Sequence, residues 1–123
     1  MATFNPDLAR EILLEVEKLP PSNLYADLTD ENYTSEEISY HFKMLAQDNL
    51  VEAIDRSTLG KFYWKVRSLT PEGHRFLDAI RNDNDFAKAK SAIVKQGIQM
   101  SWTALKAVVS QGIRDNTGIE VPL

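Results

Sequence analysis

Apolar residues recur at Leu8, Ile12, Leu13, Val16 and Leu19, the spacing of one helical stripe. Asn5-Pro6 opens that helix, because asparagine caps, proline suits the first helical position and Asp7 complements the positive end of the dipole. Pro20-Pro21 ends it. Over residues 22–32 the period shortens: Leu24, Ala26 and Leu28 alternate with Tyr25, Asp27 and Thr29, predicting one strand, followed by a turn at Asp30-Glu31-Asn32. The helical period returns at Thr34. Thr34 and Glu37 form a capping box, Tyr33 and Ile38 stand where a hydrophobic staple packs, and Ile38, Phe42, Leu45 and Ala46 make the buried stripe. Glu36, Tyr40, Lys43 and Gln47 point the other way, with Ser39 beside them.

After Asp48-Asn49 the pattern becomes that of a hairpin. Residues 50–54 read as a strand, 55–61 as a polar loop with Gly60 free to take positive φ, and 62–69 as the return strand. Phe62, Trp64 and Val66 alternate with Tyr63, Lys65 and Arg67, which places one side inward. Thr70-Pro71-Glu72 starts another helix, with Phe76, Leu77 and Ile80 buried. Residues 82–85 (Asn-Asp-Asn-Asp) interrupt or re-cap the chain. Residues 86–96 are expected to be helical, with Phe86, Ala89, Ile93 and Val94 inward, and Gly97 ends that helix. Ser101 caps a last helix carrying Trp102, Leu105, Val108, Val109 and Ile113; residues 115–123 read as a frayed tail. The predicted fold is α+β: one winged-helix-like domain over residues 1–123, with a short three-stranded sheet. Its core spans 5–82 and extra C-terminal helices extend over 83–114.

Composition narrows the function classes. The 123 residues hold no cysteine, so disulfides and thiolate metal sites are excluded. No apolar run approaches the roughly 20 residues of a membrane span, and the N-terminus lacks the order of a signal peptide, so a cytoplasmic protein is expected. The formal net charge of −4 conceals an asymmetry, −9 over residues 1–55 and +5 over 56–123. A basic second half keeps polyanion contact open.

The blocks AREILLEVE, SEEISYHFKMLAQDNLVEAID and SLTPEGHRFLDAIRND resemble a bacterial and phage family, the domain-of-unknown-function family numbered twenty-five thirteen. The third block carries the most specific part. The resemblance spans residues 4–115 and implies a winged-helix-like fold and a phage or prophage setting. The middle block is also similar to the recognition helix and first wing strand of bacterial winged-helix repressors, with His41-Phe42-Lys43-Met44-Leu45 and Leu50-Val51 in the matching places. Two departures stand out. The stretch 20–33 leaves no full helix before the recognition helix, and Glu36 and Glu37 stand where phosphates would be approached.

The hairpin is the strongest nucleic-acid feature. Arg56, Lys61, Lys65 and Arg67 occur without an intervening acid and with Tyr63 and Trp64 interleaved, a pattern that suits phosphate contact and equally a guarded sheet edge. Ser39, Tyr40 and Lys43 would then stand nearest a base edge. His41 and His74 are the only histidines and have no catalytic companions, so an enzyme, a metal and a cofactor are not expected. His74 and Asp78 form an i,i+4 pair that would orient the imidazole or stabilise the helix. Trp102, Leu105, Val109 and Ile113 either close over the chain's own core or pair with a second copy as a homodimer contact. Two functions remain: a DNA-binding transcriptional regulator that contacts double-stranded DNA, and a protein-interaction module that binds a host or phage protein.

Overall fold

The first helix begins where its cap dictates. In the computed structural model, which describes residues 3–117 and side chains as far as Ile113, α1 spans Pro6–Glu17. The Asn5 side chain accepts the Asp7 and Leu8 N–H groups at 3.0 and 3.2 Å. Leu8, Ala9, Ile12, Leu13 and Val16 are buried. The second helix, α2 (Ser35–Gln47), starts from the complete Thr34–Glu37 capping box and buries Ile38, Ser39, His41, Phe42, Met44 and Leu45. It ends with Asn49 in the left-handed region at φ 63°, the Leu50 N–H returning to Leu45 O and the Asn49 N–H to Ala46 O. That double closure satisfies the last carbonyls and turns the chain sharply into the hairpin.

Strands β1 (Val51–Asp55) and β2 (Trp64–Leu69) pair antiparallel. The third strand expected over residues 22–29 is reduced to a single antiparallel bridge, Ala26 to Val66, with both N–H···O bonds made at 2.7 and 3.1 Å. The cause is local. Leu24 on that segment is 80% exposed, so the expected alternation has no buried face to hold a longer ladder. A second departure lies in β2. The register slips between Glu52 and Ala53, leaving Arg67 as an extra residue between the Ser68 and Val66 pairings. A strict period of two would bury Val66 and Ser68; the bulge instead buries Val66 and Leu69, and Leu69 pairs with Val51. The hairpin closes on a Thr58–Lys61 bridge around Leu59-Gly60, with Gly60 at φ +88°.

The next helix, α3 (Pro71–Ile80), is anchored at its start to the turn that leaves α2. Thr70 N–H donates to Leu50 O at 3.0 Å, its hydroxyl donates to Asn49 O, and that hydroxyl accepts the Gly73 N–H at 2.9 Å. Asn49 Nδ2 also donates to Glu72 at 2.9 Å.

The chain divides into two compact units, one closing at His74 and the other beginning at Arg75. The first holds the apolar residues of α1, α2 and the hairpin; each fully buried Leu, Ile or Phe there contributes about 2 kcal/mol. The second unit comprises the rest of α3 with α4 (Asp83–Lys95) and α5 (Trp102–Thr117). Among the described residues its buried apolar side chains are Phe76, Leu77, Ile80, Phe86, Ile93, Trp102, Leu105 and Val109. Asn82 re-caps the chain, accepting the Asn84 and Asp85 N–H groups, so α4 begins three residues earlier than the apolar period indicates. Val94, expected inward, is 68% exposed. Its carbonyl accepts the Gly97 N–H in the closing turn of α4, where the helix leaves its buried stripe. Ser101 caps α5 through the Ala104 N–H at 3.1 Å. Residues 115–117, read as the start of a frayed tail, continue α5, and the remainder of that tail lies outside the described residues.

Candidate functional site

Helix α2 and the hairpin that follows it carry every residue the sequence nominates for phosphate or base contact. The structure separates them into engaged and available groups. Ser39 is buried, and its hydroxyl accepts the Trp64 N–H at 2.9 Å. A side chain locked against the return strand cannot reach a base edge, so Ser39 holds the hairpin on the helix instead. Replacing Ser39 with alanine is expected to cost about 1–2 kcal/mol, because it leaves the Trp64 amide without its acceptor. Amide exchange at Trp64 reads this directly: protection should fall there before it falls elsewhere.

Lys65 and Arg67 are also engaged. Lys65 Nζ lies 3.8 Å from Asp27 Oδ1. Arg67 donates to Glu52 Oε1 from Nε at 3.3 Å and Nη2 at 3.0 Å, and its guanidinium stands 5.0 Å from the Tyr25 ring centre. Ser68 adds a third donor to the same oxygen at 2.7 Å. The Ser68 hydroxyl, and then Arg67, hold the Glu52 carboxyl below the usual carboxylate range. Tyr40, half-buried, meets His41 edge-on with ring centres 5.3 Å apart.

Three cations stay available. Lys43 is exposed on α2 and its ammonium lies 5.9 Å from the Phe62 ring centre, which brings the helix face to the base of the hairpin. Lys61 is exposed with Nζ 4.5 Å from the Tyr63 ring centre. Arg56 is exposed, its backbone N–H donates to Tyr63 O at 2.8 Å, and its guanidinium has no partner among the described residues. The loop between them is ordered by its own side chains. Asp55 Oδ1 accepts the Ser57 N–H at 2.8 Å, and the Ser57 hydroxyl accepts the Tyr63 N–H at 3.0 Å. The Ser57 hydroxyl and N–H keep the Asp55 carboxyl below its usual range, with a smaller contribution from Lys43.

The other sequence candidates are His41, His74 and the apolar strip of α5. His41 is fully buried, with Nδ1 2.8 Å from Glu37 O and Nε2 accepting the Asn5 N–H at 3.0 Å. His74 is exposed, and Asp78 takes Arg81 at 2.8 Å. Trp102, Leu105 and Val109 are buried within the second unit, Trp102 against Phe76 with ring centres 5.4 Å apart, and Ile113 is half-buried. That apolar strip is thus spent largely inside the chain. Sequence reasoning missed Asp27 and Glu52, the carboxylates that neutralise Lys65 and Arg67, and Tyr25, whose ring stands beside Arg67. It also missed Leu59 at the tip, which the turn leaves fully exposed. Among the described residues no three acidic or imidazole groups are placed to hold a metal, and no helix is long and apolar enough to cross a membrane.

Fold and site define an α+β protein whose helix-then-hairpin half presents the available cations. The chain belongs to the DUF2513 family, described as a hypothetical protein, whose model matches residues 4–99. An uncharacterized protein of Haemophilus influenzae is 40% identical over 107 residues, 85% of this chain and 89% of that protein. No solved structure matches.

Proposed function

We propose that the protein is a winged-helix-like DNA-binding regulator that holds duplex phosphates through its hairpin. The observation that carries this reading is the set of cations with no ion pair among the described residues: Arg56 and Lys61 at the hairpin tip and Lys43 on the exposed stripe of α2. The order α1, the Ala26 bridge, α2 and the β1–β2 hairpin supports the winged-helix reading, in which the bridge would take the place of a first strand. No helix occurs over residues 18–34, so the usual support of a recognition helix is missing. Affinity then comes from the wing, and α2 mainly aims it. The phage or prophage setting implied by the family resemblance suits a small regulator of this kind.

Reversing the charge of Arg56 and Lys61 together, to Glu, abolishes binding to mixed-sequence duplex in fluorescence anisotropy. Lys65→Ala has little effect, since its ammonium already faces Asp27. Unchanged affinity in the Arg56→Glu/Lys61→Glu chain removes the wing from the contact. The second reading, a protein-interaction module without DNA, is favoured by the neutralised Lys65 and Arg67 and by Glu36 on the exposed stripe of α2. It predicts no duplex binding even at low salt.

A further inference from the structure

The first unit carries two surfaces that complement each other. One is a groove of about 60 Å3 between α1, α2 and residues 28–30. Leu8, Ile12, Leu28 and Ile38 form its apolar lining, Glu11, Glu15 and Asp30 its acidic groups, and no basic side chain lines it. Glu15 is answered by Lys18 one turn on, at 3.1 Å. Glu11 and Asp30 instead face each other. Burial, then the hydrogen bond and charge of Asp30, raise the Glu11 carboxyl above its usual range. An acid pair with an apolar floor and no cation is a poor match for water and a good one for an aliphatic side chain flanked by bases.

The other surface is the hairpin tip. Leu59 is 105% exposed, held outward by the Thr58–Lys61 turn. Arg56 and Lys61 flank it, both exposed. Their charges oppose those of the groove, as the −9 and +5 halves of the sequence foreshadow.

We propose that the hairpin tip of one copy docks in the α1–α2 groove of a second copy, Leu59 on the apolar floor and Arg56 and Lys61 against Glu11 and Asp30. Each copy holds one tip and one groove, so the contact either closes as a two-fold pair or continues head to tail. The inference does not rest on DNA binding. It uses the same two cations, so a second copy and a duplex compete for the tip.

Light scattering with size exclusion at low salt tests this on the full chain. The wild-type mass rises with concentration from 13.9 kDa to at least twice that value. Leu59→Asp, which removes the tip, and Glu11→Lys, which reverses the groove, each stay at the single-chain mass. Their equimolar mixture returns to twice that mass, because one chain still supplies a groove and the other a tip. A peptide of residues 55–63 offers a second route that needs no groove variant. Titrated into the Leu59→Asp chain, it shifts the methyl resonances of Leu8, Ile12 and Ile38, and a scrambled peptide does not. A wild-type chain that stays single at every concentration overturns the proposal, as does a mixture that stays single or a peptide that moves no groove methyl. Peptide binding without self-association would assign the groove to a basic-aliphatic segment of another protein, and so would also overturn the second-copy contact.

Discussion

Gly73→Ala is expected to destabilise the protein by about 3 kcal/mol or more. A β-carbon at this position would stand 1.9 Å from Leu50 O and 2.9 Å from Leu50 C, both backbone atoms. No rotamer can relieve that contact. Leu50 O is itself held by the Thr70 N–H, the Leu50 N–H closes the end of α2, and the next residue, Val51, is paired with Leu69. Moving it therefore disturbs the exit of α2, the start of the hairpin and the first turn of α3 together. Urea unfolding followed by circular dichroism measures the loss as a lowered midpoint with an unchanged slope. Gly112→Ala is the control: nothing lies within 4 Å of its added carbon, and in α5 it should be neutral or stabilise by about 0.5–1 kcal/mol. A Gly73→Ala chain within about 0.5 kcal/mol of wild type would show that the close approach does not govern stability.

The second large effect belongs to His41. Its ring is fully buried, stacks on Phe4 with centres 5.8 Å apart, and bonds at both nitrogens. Because Nε2 accepts the Asn5 N–H, the imidazole is neutral with its proton on Nδ1, donated to Glu37 O. The ring thereby ties the cap of α1 to the second turn of α2. His41→Ala removes both bonds and leaves a cavity, and is expected to cost about 3 kcal/mol. Burial lowers the His41 pKa below the usual 6.5, against smaller opposing effects from the Glu37 and Asn5 hydrogen bonds. Between the lowered value and 6.5 the unfolded chain binds more protons than the folded one. The contribution is therefore complete above pH 6.5, falls as pH drops through the lowered folded value, and is flat below it. His41→Gln keeps an acceptor for Asn5 without titrating, so it should remove this part of the pH slope. A His41→Gln chain with the wild-type slope from pH 7.5 to about 5 would place the titration elsewhere.

The signals legible in the sequence are those whose partners lie within one turn. Asn5 with Leu8, Thr34 with Glu37, Ser101 with Ala104 and Gly97 after α4 each join residues a few positions apart, and each helix starts or stops where they stand. What stayed hidden depends on register between distant segments. Ser39 belongs beside the exposed face on a helical wheel, yet the Trp64 amide, 25 residues away, lies over it. Lys65 and Arg67 look like free bases in their own strand. Asp27 arrives through the Ala26 bridge, and Glu52 lies across the bulge at Arg67. No local period encodes either placement, because a one-residue shift in pairing changes every neighbour. The same cause removed the third strand: alternation at Leu24, Ala26 and Leu28 specifies a strand only if a partner buries one side, and only Ala26 finds one.

These engagements change what the hairpin can do. Four basic residues in sequence become two available at its tip, joined by Lys43 from α2, and that number makes the DNA reading quantitative. Each neutralised phosphate contributes a slope of about −0.9 in log K against log salt, so three cations predict about −2.7. Duplex affinity measured by anisotropy across a salt series tests the account most directly. A duplex held by these three cations binds at low salt with a slope of about −2.7, and the Arg56→Glu/Lys61→Glu chain does not bind. No binding at low salt, or a slope that the double substitution leaves unchanged, would contradict the account.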